Sequence, residues 1–64
     1  MNIMTKRGNI DNVVTYEHYC DTLADMDNIK KENITLGSIC VVLKGESDGL
    51  ELYIADSTGT WNKM

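Results

Sequence analysis

The sequence predicts an α+β fold, a short helix packed on a small antiparallel β-meander with an N-terminal strand. Three observations predict it. Ile39-Cys40-Val41-Val42-Leu43 is an unbroken apolar run of strand character, Leu50 to Asp56 is a second such run beyond a loop bounded by Gly45 and Gly49, and Trp61 follows a Ser57-Thr58-Gly59 turn. Ahead of them, Leu23, Met26 and Ile29 recur at helical spacing.

The elements follow in chain order. Residues 1–12 are polar and turn-rich, with a short strand expected at Ile3-Met4, and form an N-terminal arm; residues 13–64 form a single small domain. Val13 to Cys20 is rich in β-branched and aromatic residues, and alternation sets Val14, Tyr16, His18 and Cys20 on one side and Val13, Thr15, Glu17 and Tyr19 on the other. A helix is expected from Thr22 to Asn28, because Thr22 with Asp25 three residues later approaches a capping box and the acidic Asp21 and Asp25 sit at its positive end. Lys30 to Asn33 is a charged connector. Strand Ser38 to Lys44 and strand Leu50 to Asp56 then pair through the loop Gly45-Glu46-Ser47-Asp48-Gly49, whose glycines are expected to take positive φ. Thr60 to Lys63 supplies the last strand.

Both faces of the resulting sheet are apolar. Ile39, Val41, Leu43, Leu50, Leu52 and Ile54 are expected to form the helix-facing core with Leu23, Met26 and Trp61, which leaves Cys40, Val42, Tyr53 and Ala55 on the opposite face. An antiparallel sheet with one solvated face would carry polar residues there, so this second face needs a cover, either the first strand or another subunit.

A domain of 64 residues buries only about 60% of the surface its unfolded chain exposes, so oligomerisation is an expected aid to its stability. Ten acidic residues against six Lys and Arg, a net charge of -4, argue against a nucleic-acid partner. The longest apolar run is far too short to span a bilayer, and the N-terminal residues lack the pattern of a secretion signal, so no membrane association is expected and Asn33-Ile34-Thr35 reads as a chance sequon. Cys20 and Cys40 have no CxxC partner and only His18 nearby; two buried free thiols are expected, with no metal and no cofactor. His18 with Cys20 or Cys40 would be a nucleophile dyad only with an orienting group and an oxyanion hole, and neither has a signature here, so no catalytic residue is assigned. Glu46, Asp48 and Glu51 fall short of a calcium loop and read as a solvated turn. The aromatic residues divide between core, Trp61, and contacts between subunits, for which Tyr16, His18, Tyr19, Val42 and Tyr53 are the candidates.

Tyr19-Cys20-Asp21-Thr22-Leu23-Ala24-Asp25-Met26, Leu36-Gly37-Ser38, Leu52-Tyr53-Ile54-Ala55-Asp56 and Thr58-Gly59-Thr60-Trp61, together with Arg7-Gly8-Asn9 and Val14 to Tyr19, resemble a small module of bacteriophage virion proteins found in head-fibre, tail-fibre and neck-associated chains. The chain departs from that pattern at Met26, where Leu is expected, and at Lys30-Lys31, where a connector Pro is expected and this chain has none. The resemblance implies a non-enzymatic virion part, a capsid decoration, fibre-base or adaptor subunit, made in the host bacterial cytoplasm and located in the virion. It would assemble with itself, a trimer being one form expected, and with other virion proteins. The alternative from another class is a small acidic phage inhibitor that binds a host defence or nucleic-acid-processing protein.

Overall fold

The computed structural model describes residues 2–46 and 49–64. Among the described residues, five strands, β1 (Asn2–Ile10), β2 (Val13–Thr22), β3 (Ile39–Lys44), β4 (Glu51–Ala55) and β5 (Trp61–Lys63), lie side by side in the order β1-β2-β3-β4-β5. One short helix, α1 (Leu23–Asp27), and a 3-10 turn (Lys31–Asn33) fill the crossover from β2 to β3. The fold is therefore mainly β rather than evenly α+β.

The sheet is mixed, which corrects the expected antiparallel meander: β2 and β3 run parallel, and the other three pairs are antiparallel. Parallel neighbours need a connection of a dozen or more residues, which the crossover supplies. The sequence meander of β3, β4 and β5 is present, but β2 joins it from the other direction.

The segment expected to be an arm is a strand over nearly its whole length. Ile10 pairs with Val13 across Asp11 and Asn12, both at positive φ (49° and 65°), the type I′ geometry whose twist matches the strands it joins. Alternate apolar positions are too few in β1 to announce it; pairing with β2 along its inner edge is what orders it. Between Lys6 and Gly8 the register shifts by one residue, and Arg7, the extra residue, reaches across to donate from Nη1 to the Gly37 carbonyl at 3.0 Å.

Helix α1 keeps the caps expected of it. Thr22 stands as N-cap with its side chain accepting from the Asp25 N–H at 3.3 Å, and Asn28 closes the other end. Met26 turns inward to Cys20, Cys40, Val42 and Tyr53, flanked by Leu23, Ile29 and Trp61. This is the core, and it corrects the expected assignment of faces. Cys40, Val42 and Ala55 are buried beneath the helix side, whereas Leu43, Leu52 and Ile54 are exposed on the other. A five-residue helix covers little area, and small side chains let it approach closely. Cys, Val and Ala serve that purpose, and the larger Leu and Ile residues do not.

Ser38, fully buried, ties the crossover to the sheet. Its hydroxyl accepts from the Tyr16 N–H at 3.1 Å and meets the Thr35 hydroxyl at 2.8 Å, while Thr35 donates to the Val14 carbonyl at 2.5 Å; the Ser38 carbonyl accepts from Ala55 N at 2.8 Å. The loop between β3 and β4 includes Ser47 and Asp48, which lie outside the described residues. Gly45 is not in the left-handed region expected of it. A Cβ there would instead overlap the Glu51 carboxyl, so close approach and not backbone sign demands glycine.

Candidate interaction surface

Strand alternation and register together determine what each side of the sheet displays. On the side away from α1, Ile3, Tyr19, Val41 and Leu52 stand in one row across four strands; Glu17, Ile39, Ile54 and Asn62 form the next. Leu43 follows Val41 on the same side of β3. Met64, whose N–H bonds the Leu52 carbonyl at 2.9 Å, lies at the margin. Exposure runs from 37% for Tyr19 to 60% for Met64, with Ile3, Leu43, Leu52 and Ile54 between. Single exposed apolar residues are ordinary, but a contiguous set of this kind across four strands marks an interaction surface.

Among the described residues the strands of this face carry two carboxylates, Asp21, exposed opposite Leu43, and Glu17, which is engaged within the chain. Glu17 pairs with Arg7 Nε at 3.7 Å and accepts the Tyr19 hydroxyl, which raises the Tyr19 pKa above its ordinary value, the hydrogen bond to Glu17 being the main cause. Asn62 is likewise engaged, donating to Asp56 Oδ2 at 3.1 Å. Asp56 also accepts from the Thr58 hydroxyl at 2.5 Å and from the Thr58 and Thr60 N–H groups, and its carboxyl is held well below the usual carboxylate range, first by the Thr58 hydroxyl and next by Asn62.

The five residues expected to make contacts between subunits are divided by the fold. Tyr19 lies on the open face. Val42 (0% exposed) and Tyr53 (7%) are in the core, His18 (2%) is buried beside them, and Tyr16 is partly buried. For Val42 and Tyr53 the cover expected from a partner is supplied by α1 of the same chain. His18 is fixed by its own surroundings: Nε2 donates to the Asn33 carbonyl at 2.8 Å, and the ring meets Trp61 edge-on at 5.8 Å. The residues that the open face does present, Ile39, Val41, Leu43, Leu52 and Ile54, were legible as one apolar set but belong outside.

Most of the remaining polar groups of the buried side are occupied structurally; among the described residues the Trp61 Nε1–H is buried without a hydrogen-bond partner. Cys20 and Cys40 are free thiols with their sulfurs 3.5 Å apart, and burial pushes both pKa values up, that of Cys40 to about 12, so neither is an activated nucleophile. Glu51, on the helix side, accepts from the Tyr53 hydroxyl at 2.7 Å, from the Glu46 N–H at 3.1 Å and from Lys63 Nζ at 3.1 Å. Of the cation candidates, Glu51 is therefore a partner of Tyr53 and Lys63, and Asp48 lies outside the described residues. Among the described residues no three His, Cys, Asp or Glu side chains converge as a metal site would require, and no helix is long and apolar enough to cross a membrane. A shallow cleft of about 270 Å³ opens between Met4 of β1 and the crossover residues Ile29, Lys30 and Asn33, with His18 at its floor already hydrogen-bonded. Comparison with protein-family models, with curated proteins and with solved structures found no match.

Proposed function

We propose that the chain is a non-enzymatic assembly module that works by protein–protein contact through the open sheet face. The observation that carries the reading is that face: an uncharged apolar row, Ile3, Tyr19, Val41 and Leu52, lies across four strands on the side that neither α1 nor the 3-10 turn covers. Glu51, Tyr53, His18, Ser38 and Thr35 spend their hydrogen bonds in holding the fold, which fits a part that presents a surface rather than performs a reaction. The resemblance of the sequence to bacteriophage virion modules supports a finer version: a homo-oligomeric structural subunit, a capsid decoration, fibre-base or adaptor part located in the virion.

Quantitative mass spectrometry of purified particles from the encoding genome tests this. Many copies per virion are expected. A protein made early in infection, absent from particles and recovered instead on a host enzyme would overturn the structural reading in favour of an inhibitor.

A further inference from the structure

We infer that the open face is covered by the same face of another copy of this chain, sheet packed on sheet, with the Ile3, Tyr19, Val41 and Leu52 rows of the copies against one another. The inference rests on the assembly reading above and adds its occupant and contact residues.

Three features single out a second copy. The first is area. A standard interface takes about 800 Å² from each partner, and this face extends over four strands with Ile3, Tyr19, Leu43, Leu52, Ile54 and Met64 each 37% to 60% exposed. The second is charge. The chain carries a net charge of -4, yet the two central rows hold one charged side chain, Glu17, already engaged by Arg7 and the Tyr19 hydroxyl, and Asp21 stands at the end of the face opposite Leu43. Two copies meeting through the central rows bring apolar side chains together with Asp21 left at the end of the contact, whereas a partner of strong positive charge would find little in those rows to recognise. The third is shape. A sheet face bare of helix packs readily on another sheet at about 10 Å, with the side chains of the two inner faces interdigitating. The interface is then self-complementary, each row meeting its own equivalent, as closed symmetric assemblies require.

Edge-to-edge joining of sheets is the competing geometry. The outer edge of β1 is long, but it carries Lys6 and the Arg7 bulge, devices that discourage pairing at an edge.

The test is the solution mass of the full chain by light scattering over a concentration series. It is run on the wild type and on Leu52→Glu, Leu52→Met and Ala24→Glu, the last lying exposed on α1. A closed oligomer is expected for the wild type, Leu52→Met and Ala24→Glu. Leu52→Glu should weaken assembly at least ten-fold while circular dichroism stays native. Isotope-filtered NOEs on a mixed wild-type sample, which need no variant, should connect the Tyr19 ring of one copy to Leu52 or Ile54 methyls of another. An oligomer that Leu52→Glu leaves intact, or one lacking those NOEs, overturns the face-to-face contact and leaves the assembly reading standing. A chain monomeric at every concentration also overturns it. The assembly reading itself fails only if that monomer is in addition absent from particles.

Discussion

Tyr53 donates its hydroxyl proton to Glu51 Oε1 at 2.7 Å, two residues back along the same strand and on the buried side of the sheet. The bond couples two titrations in opposite directions. It lowers the Glu51 pKa, with Lys63 contributing next, and raises that of Tyr53 to about 12 with burial adding to the effect. A carboxylate with a lowered folded pKa stabilises the fold above its unfolded value and loses that contribution as pH falls through the folded one. A phenol with a raised folded pKa stabilises below its unfolded value near 10 and loses that contribution as pH rises toward about 12. Urea denaturation across pH should therefore show an acid limb that is shallower in Glu51→Gln, and an alkaline limb between about pH 10 and 12 that is reduced in Tyr53→Phe. Parallel profiles for wild type and variants would mean that the pair does not titrate as a unit.

Neighbouring positions in β3 test which side of the sheet is core. Val42 is fully buried and Leu43 is 52% exposed. Val42→Ala should cost roughly 1–3 kcal/mol in chemical denaturation, because the cavity lies against Met26 and Tyr53 and a short helix relaxes little into it. Leu43→Ala, measured at concentrations below assembly, should stay within about 0.5 kcal/mol of wild type, as exposed substitutions do. The opposite ranking would return Leu43 to the interior and expose the Val42 side.

Cys20 and Cys40 are expected to resist thiol reagents in the native protein. The thiolate is the reactive form, and with its pKa pushed up to about 12, Cys40 carries about one thiolate in ten thousand at pH 8, before its burial is considered. Labelling with an aromatic disulfide reagent should release both thiols only in denaturant, and fast native-state release would contradict the burial of this pair.

What could be read from the sequence was the helix and the strands from β2 onward, and what could not was the length of β1 and how the elements face and pair. The β3 and β4 runs, the Thr22 cap and the Asp56 to Thr60 turn are local, each marked by residue types within a few positions. Parity in β2 was equally local, and His18 and Cys20 share the inner side as their alternation requires. The choice of inner face was not local, because both faces of β3 and β4 are apolar. It turns on Glu51, whose presence beside Cys40, Val42 and Tyr53 makes that side look polar until Tyr53, Lys63 and the Glu46 N–H are seen to satisfy it. The parallel β2–β3 pair was hidden for a related reason: the crossover is long enough for either course, and the residue types along it do not distinguish a return beside the strand from a passage over the sheet. The apolar surplus that called for a partner was visible, but it lies on the opposite face.

The β1–β2 turn offers a direct handle on the edge of the open face. Asn12 holds φ at 65° next to Asp11 at 49°, and the second position of a type I′ turn favours glycine above any other residue. Asn12→Gly should raise stability by about 0.5 kcal/mol, the relief of left-handed strain outweighing the added freedom of the unfolded chain. Asn12→Val, a branched side chain at positive φ, should cost about 1–2 kcal/mol by the same steric argument. Because β1 carries Ile3 into the row with Tyr19, Val41 and Leu52, loosening this hairpin should also weaken assembly, whereas Asn12→Gly should not. Light scattering beside denaturation would separate the two effects. A destabilised Asn12→Val chain that assembles as tightly as wild type would place β1 outside the contact.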